Sequence, residues 1–122
     1  MEAVEINAGA WYLRALRADD RISDVPALDD LGLDDPAGYV ASATAGWSAE
    51  TAFTWAVCEP TTGELVALIG FRDDGTPVPL QGRARSGHQS ALAAATGPVA
   101  RFGAAAIGLE ITDALTDAIP MP

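Results

Sequence analysis

At 122 residues, 49% apolar and with a mean hydropathy of +0.16, the chain is sized for one folded domain and is too apolar for disorder. Its net charge of −10, with seven arginines and no lysine, repels a phosphate backbone and disfavours nucleic acid as a partner. A single cysteine, Cys58, excludes an internal disulfide, and the longest unbroken apolar run, Leu65–Ile69, is far short of the ~20 residues that span a bilayer.

The opening MEAVEINAGAW carries two glutamates and no basic residue, unlike a secretory signal, so a cytoplasmic protein with no membrane partner is expected. Trp11–Leu16 alternates and predicts a first strand, which Arg17–Asp20 ends. Val25, Leu28 and Leu31 share a helical face, so a short helix is expected over Ile22–Leu31, capped by Asp19 or Asp20. Pro26 tolerates only a first-turn position and moves its start toward Val25, and Gly32 is its stop. Asp34-Asp35-Pro36 opens a second helix whose apolar stripe is Tyr39, Val40, Ala43 and Trp47. The carboxylates from Asp19 to Asp35 read as capping and solvating groups, and no metal site is expected from them.

Thr51–Arg72 predicts a hairpin. Phe53, Trp55 and Val57 alternate with small residues, the pattern of a half-buried strand over Phe53–Cys58. Glu59–Glu64 is its turn, and Leu65–Phe71 is an apolar run that suggests cover on both faces. Cys58 reads as a small buried thiol. Asp73–Pro79 looks turn-like, because Pro77 and Pro79 spoil a central strand. Gln81–His88 is a loop rich in Gly and Arg. Ser90–Thr96 is helical, Gly97-Pro98 interrupts it, and Val99–Ile107 resumes to Gly108. Leu109–Thr112 is a short last strand and Ala118–Pro122 a frayed tail. Residues 1–50 hold ten acidic against three basic residues, and the remainder seven against four. The second half is therefore the better place for an anionic ligand.

Three pieces, WYLRALRADD (11–20), WAVCEPTTGELVALIGFR (55–72) and VARFGAAAIGLE (99–110), resemble the GNAT superfamily of N-acetyltransferases, in the branch that acetylates N-termini of ribosomal proteins. The resemblance implies an α/β (α+β) domain over 1–122, a mixed and mostly antiparallel sheet flanked by helices. Residues 10–72 match well, while 73–122 form a shortened cofactor-binding half, incomplete toward the C-terminus. It implies acetyl-CoA as co-substrate and an amine as acceptor, with Asp29, Asp30, Asp34 and Asp35 as attractors of a cationic amine. The family's phosphate-cradling loop falls on Gln81, Gly82, Arg83, Ala84, Arg85, Ser86 and Gly87. The family's first glycine is absent there, because Ala84 and Ser86 stand at the small positions. The strand before that loop would fall at Gly75–Leu80, against two prolines. The family's general-acid tyrosine has no counterpart, since Tyr39 is the last tyrosine. Glu50, Glu59, Glu64 and His88 are candidate bases. These departures imply a truncated or degenerate cofactor loop. The rival expectation is a non-catalytic remnant, inactive or acting as an interaction domain that forms a homodimer through uncovered strand edges and the apolar residues Phe102 and Ile107.

Overall fold

The computed structural model describes residues 1–75 and 77–122, and of Asp113 only the backbone. The elements follow as β1 (Ile6–Ala8), β2 (Trp11–Arg14), α1 (Val25–Asp30), α2 (Pro36–Ala49), β3 (Ala52–Cys58), β4 (Leu65–Arg72), β5 (Val78–Ala84), α3 (Gln89–Phe102) and β6 (Ile111–Asp117). The strands lie side by side in sequence order. Each neighbouring pair is antiparallel except β5 and β6, which α3 joins in parallel. The expected α/β architecture, a mixed and mostly antiparallel sheet between helices, is the one observed.

The period of two along β3 and β4 builds two cores. Phe53, Trp55, Val57, Ile69 and Phe71 face α3, where Ala91, Leu92, Ala95 and Val99 cover them. Ala56, Cys58, Leu65 and Leu68 face the other way, beneath Ala27 and Leu28 of α1 and Val40 and Ala43 of α2. All seven residues of β3 are buried, so the expectation of a half-buried strand is corrected. Its small residues are a seat for two helices and not a solvent face. Trp47 at the end of α2 meets Phe53 and Trp55 edge-on at 5.2 and 5.0 Å between ring centres. Both buried indoles are satisfied, Trp47 donating to the Thr54 carbonyl at 3.0 Å and Trp55 to that of Val4 at 2.7 Å.

Several boundaries move for local reasons. β1 was not expected; it folds back on β2 through Gly9, whose φ of 63° suits a residue without Cβ. α1 starts at Val25, as Pro26 requires, and neither Asp19 nor Asp20 caps it. Asp19 instead accepts the N–H groups of Arg21 and Ile22 at 2.9 and 3.0 Å and pairs with Arg17. Arg17 and these two amides hold its carboxyl down to about 2. Asp35 does cap α2, accepting from the Gly38 N–H at 3.1 Å.

The larger corrections follow Arg72. A strand, β5, runs through Pro79 where the prolines argued against one. It is tolerated because the β4 ladder begins only at Gln81 and the β6 ladder shifts register between Val78 and Leu80. Thr76, inside the expected turn, lies outside the described residues. Gly97-Pro98 does not interrupt α3. Ala94, whose carbonyl loses the Pro98 donor, is exposed to water. After a π-helical turn, Gly103–Ile107, the left-handed Gly108 ends the helix as expected. β6 extends to Asp117, five residues beyond the expected end. The last residues are docked: the Tyr39 hydroxyl donates to the Pro120 carbonyl, and Arg72 donates to that of Pro122 at 3.0 Å. Among the described residues no helix is long and apolar enough to cross a membrane.

Candidate functional site

The segment expected as one phosphate loop is divided by the fold. Gln81, Gly82, Arg83 and Ala84 belong to β5, and only residues 85–88 form the turn into α3. The strand wins because Val78 and Leu80, alternating with Pro79 and Gln81, are buried in the core that α3 covers. Gly82 continues that buried face. A Cβ there would stand 2.7 Å from Leu92 Cδ1 and 2.8 Å from the Leu68 carbonyl oxygen. This glycine is required by the close packing of α3 on β5, not by the approach of a phosphate. Gly87 has the turn role, with φ 84°.

The turn leaves α3 open at its start. Arg85 N–H donates to the Val66 carbonyl at 2.8 Å, extending the β4 ladder one residue past β5. His88 occupies the N-cap position without a side-chain cap, its Nδ1 lying 3.2 Å from the Ser86 carbonyl oxygen. Helix geometry leaves the N–H groups of Gln89 and Ser90 without an intrahelical acceptor. With Arg85 directed at β4, the alternation of the strand turns the Ala84 backbone toward β6, two residues beyond Gly82 of the last registered pair, Gly82–Asp117.

The two arginines that stand together in the sequence part company. Arg85 is consumed locally: Nε lies 2.8 Å from Asp30 Oδ2, and Nη1 lies 2.6 Å from Glu64 Oε1 and 3.1 Å from the Leu65 carbonyl oxygen. The bond to Asp30 leads the influences that raise its pKa. Arg83 turns to the opposite side, with Nε 3.3 Å from Asp117 Oδ1. There it joins Ala84, Gln89, Leu92, Ala93, Thr96, Leu115 and Asp117 around a cleft of about 630 Å³. The cleft has a cation at its rim, the uncapped first turn of α3 at one end, and leucine and alanine side chains along its wall. That combination fits a ligand with an anionic head and an apolar arm.

A second pocket, of about 350 Å³, borders the other side of the same turn. It gathers the sequence candidates Glu59, Glu64, Arg85, Ser86 and His88, together with Asp30. The fold brings these together because the β3–β4 turn and the β5–α3 turn share one end of the sheet. Glu50 is excluded from the group: it ends α2 immediately before β3 starts, at the opposite end. Of the expected amine attractors, Asp30 alone lines the pocket, and Asp35 is spent on its helix cap. Tyr39 is fixed by Pro120, and burial pushes its hydroxyl pKa upward. Among the described residues no group of three or more His, Cys, Asp and Glu is placed to hold a metal ion.

Gln89, Leu92, Ala93, Thr96, Leu115 and Asp117 line the cleft without having been expected from the sequence. The alternation Ile111, Leu115, Asp117 in a longer β6 was the available signal, and the weakly apolar run ITDALTD concealed it.

No protein-family profile matches the sequence, and no curated protein matches it. Solved structures do resemble it. An acetyltransferase from Agrobacterium tumefaciens str. C58 superposes with a TM-score of 0.68 at 17% identity, covering 89% of this chain and 71% of its own. A candidate acetyltransferase from Sphaerobacter thermophilus DSM 20745 superposes with a TM-score of 0.57 at 15% identity, covering 91% of this chain and 69% of its own. At these identities the likeness is one of fold, and the fold is that of acetyltransferases.

Proposed function

We propose that the chain is an N-acetyltransferase-like domain of the GNAT type, which binds acetyl-CoA and transfers its acetyl group to an amine. The observation that carries this reading is the cleft between β5, β6 and α3, where Arg83, the open first turn of α3 and an apolar wall converge. The pyrophosphate would lie against Arg83 and the N–H groups of Gln89 and Ser90. The pantetheine arm would follow Ala84, Leu92 and Leu115. Ala84 offers a backbone N–H and C=O beyond the last β5–β6 pair, suited to that arm's amides.

In direct transfer the amine nitrogen attacks the thioester carbonyl, the thiolate leaves, and the amine proton must go to a base. Glu59 and His88 border the turn that would hold the pyrophosphate, an arm's length from the thioester, and Glu64 is engaged by Arg85, so none of the three is assigned as the base. Asp30 and Glu59 suit a cationic acceptor. The partners are thus acetyl-CoA and an amine, small or at a protein N-terminus. A cytoplasmic setting fits a lone cysteine that is a buried free thiol.

The test is a calorimetric titration with acetyl-CoA, followed by amine-dependent thiol release. Saturable binding with release supports the reading, and no heat at millimolar acetyl-CoA contradicts it. One observation favours the rival, a non-catalytic module that dimerises: β6 is an outer strand of the sheet. Sedimentation showing a dimer without acetyl-CoA affinity would select that rival.

A further inference from the structure

Arg83 is not free at the mouth of the cleft. Its partner Asp117 is the last residue of β6, and among the described residues the two are the charged ones of the cleft lining. The backbone closes at the same level, since Gly82 pairs with Asp117 and the Ala118 N–H donates to the Gly82 carbonyl at 3.1 Å. The register of the parallel pair therefore fixes a carboxylate beside the cation that a ligand's anion would use.

We infer that Asp117 is a built-in competitor for Arg83, a carboxylate latch that a phosphorylated ligand must displace. The inference rests on the acetyl-CoA reading and deepens it. The exchange replaces one oxyanion by another on the same guanidinium. Asp117 is 85% exposed and Arg83 40%, so the pair is screened by water and weakly held. A pyrophosphate brings more charge, can engage the guanidinium through two oxygens, and also reaches the amides at the start of α3. A lone carboxylate offers no more than Asp117 already does. The latch thus admits polyphosphates and turns away simple carboxylates, at the expense of affinity.

The test is calorimetry with acetyl-CoA, pantetheine and inorganic pyrophosphate on the wild type, Asp117→Asn, Asp117→Ser, Arg83→Gln and the Arg83→Gln, Asp117→Asn double variant. Both Asp117 variants should bind acetyl-CoA and pyrophosphate about threefold to tenfold more tightly, because Arg83 no longer has to give up a carboxylate partner before it can take the anion. Pantetheine, which lacks the phosphates, should be unaffected, and the gain should vanish when Arg83 is absent. Unchanged or weaker binding in both Asp117 variants, or a gain that survives Arg83→Gln, overturns the latch. If pyrophosphate shows the gain while no variant binds acetyl-CoA, the latch stands and the cofactor reading falls. If pyrophosphate shows no gain, the latch falls whatever acetyl-CoA does.

Discussion

The pairs Arg14–Asp24 and Arg83–Asp117 use the same residue types on one sheet, in opposite surroundings. Arg14 and Asp24 are 6% and 2% exposed and meet through two contacts of 2.8 and 2.9 Å. Asp24 also accepts the Arg17 N–H at 2.7 Å, and Arg14 also donates to the Gly63 carbonyl at 3.0 Å. The first pair thereby ties β2, the start of α1 and the β3–β4 turn together. The second has a single contact of 3.3 Å in water. Burial converts an ion pair into a structural tie that cannot be opened cheaply, while exposure leaves a charge that a ligand can take over.

Breaking each pair should expose that contrast. Asp24→Ala strands the Arg14 guanidinium in a buried site and should destabilise the protein by about 3–5 kcal/mol in urea unfolding. Asp117→Asn should shift the same curve by less than about 1 kcal/mol, as exposed pairs do. Comparable losses in the two variants would erase the distinction. Between these extremes lies Gly82→Ala, whose Cβ collides with Leu92 and with a backbone carbonyl that has no room to yield. A cost of about 1–3 kcal/mol is expected. A neutral result would show that α3 is seated on β5 loosely enough to admit a methyl group at Gly82.

A smaller effect, read through pH, tests the dryness of the structural side. Burial pushes the Cys58 thiol from 9.0 up to about 11, although nearby Arg14 pulls it back. The folded state keeps that proton after the unfolded chain has lost it. The stability it confers is present below pH 9 and falls as pH rises toward 11, by roughly 2–3 kcal/mol at most. Melting curves across this window should show the loss in the wild type and a flatter profile in Cys58→Ala. Identical slopes would place the thiol in contact with water.

The scaffold was legible because its signals are local. Phe53–Cys58 and Leu65–Phe71 announce strands by alternation and by a run of apolar residues, and Asp35-Pro36 announces a helix start. What decides the site is not local. Pro79 reads as a breaker, and only the late start of the β4 ladder and the register shift against β6 make it harmless. Gly82 has the sequence context of a phosphate loop, yet its lack of a side chain serves Leu92. Arg83 and Arg85 look equivalent two residues apart, and only the neighbouring elements separate them, Asp30 and Glu64 taking one while Asp117 takes the other. Asp24 looks like one more surface carboxylate in the sequence, because nothing in its spacing shows that Arg14 lies beneath it.

The central claim is that the cleft on the Arg83 side, and not the Arg85 side, receives acetyl-CoA. Calorimetry of acetyl-CoA binding to the wild type, Arg83→Ala and Arg85→Ala tests it most directly. The account predicts saturable binding to the wild type and a loss of about tenfold or more in Arg83→Ala, the worth of one charge-assisted phosphate contact. It predicts little change in Arg85→Ala, whose guanidinium is already bound to Asp30 and Glu64. Absence of wild-type binding, or equal losses in the two variants, would contradict it.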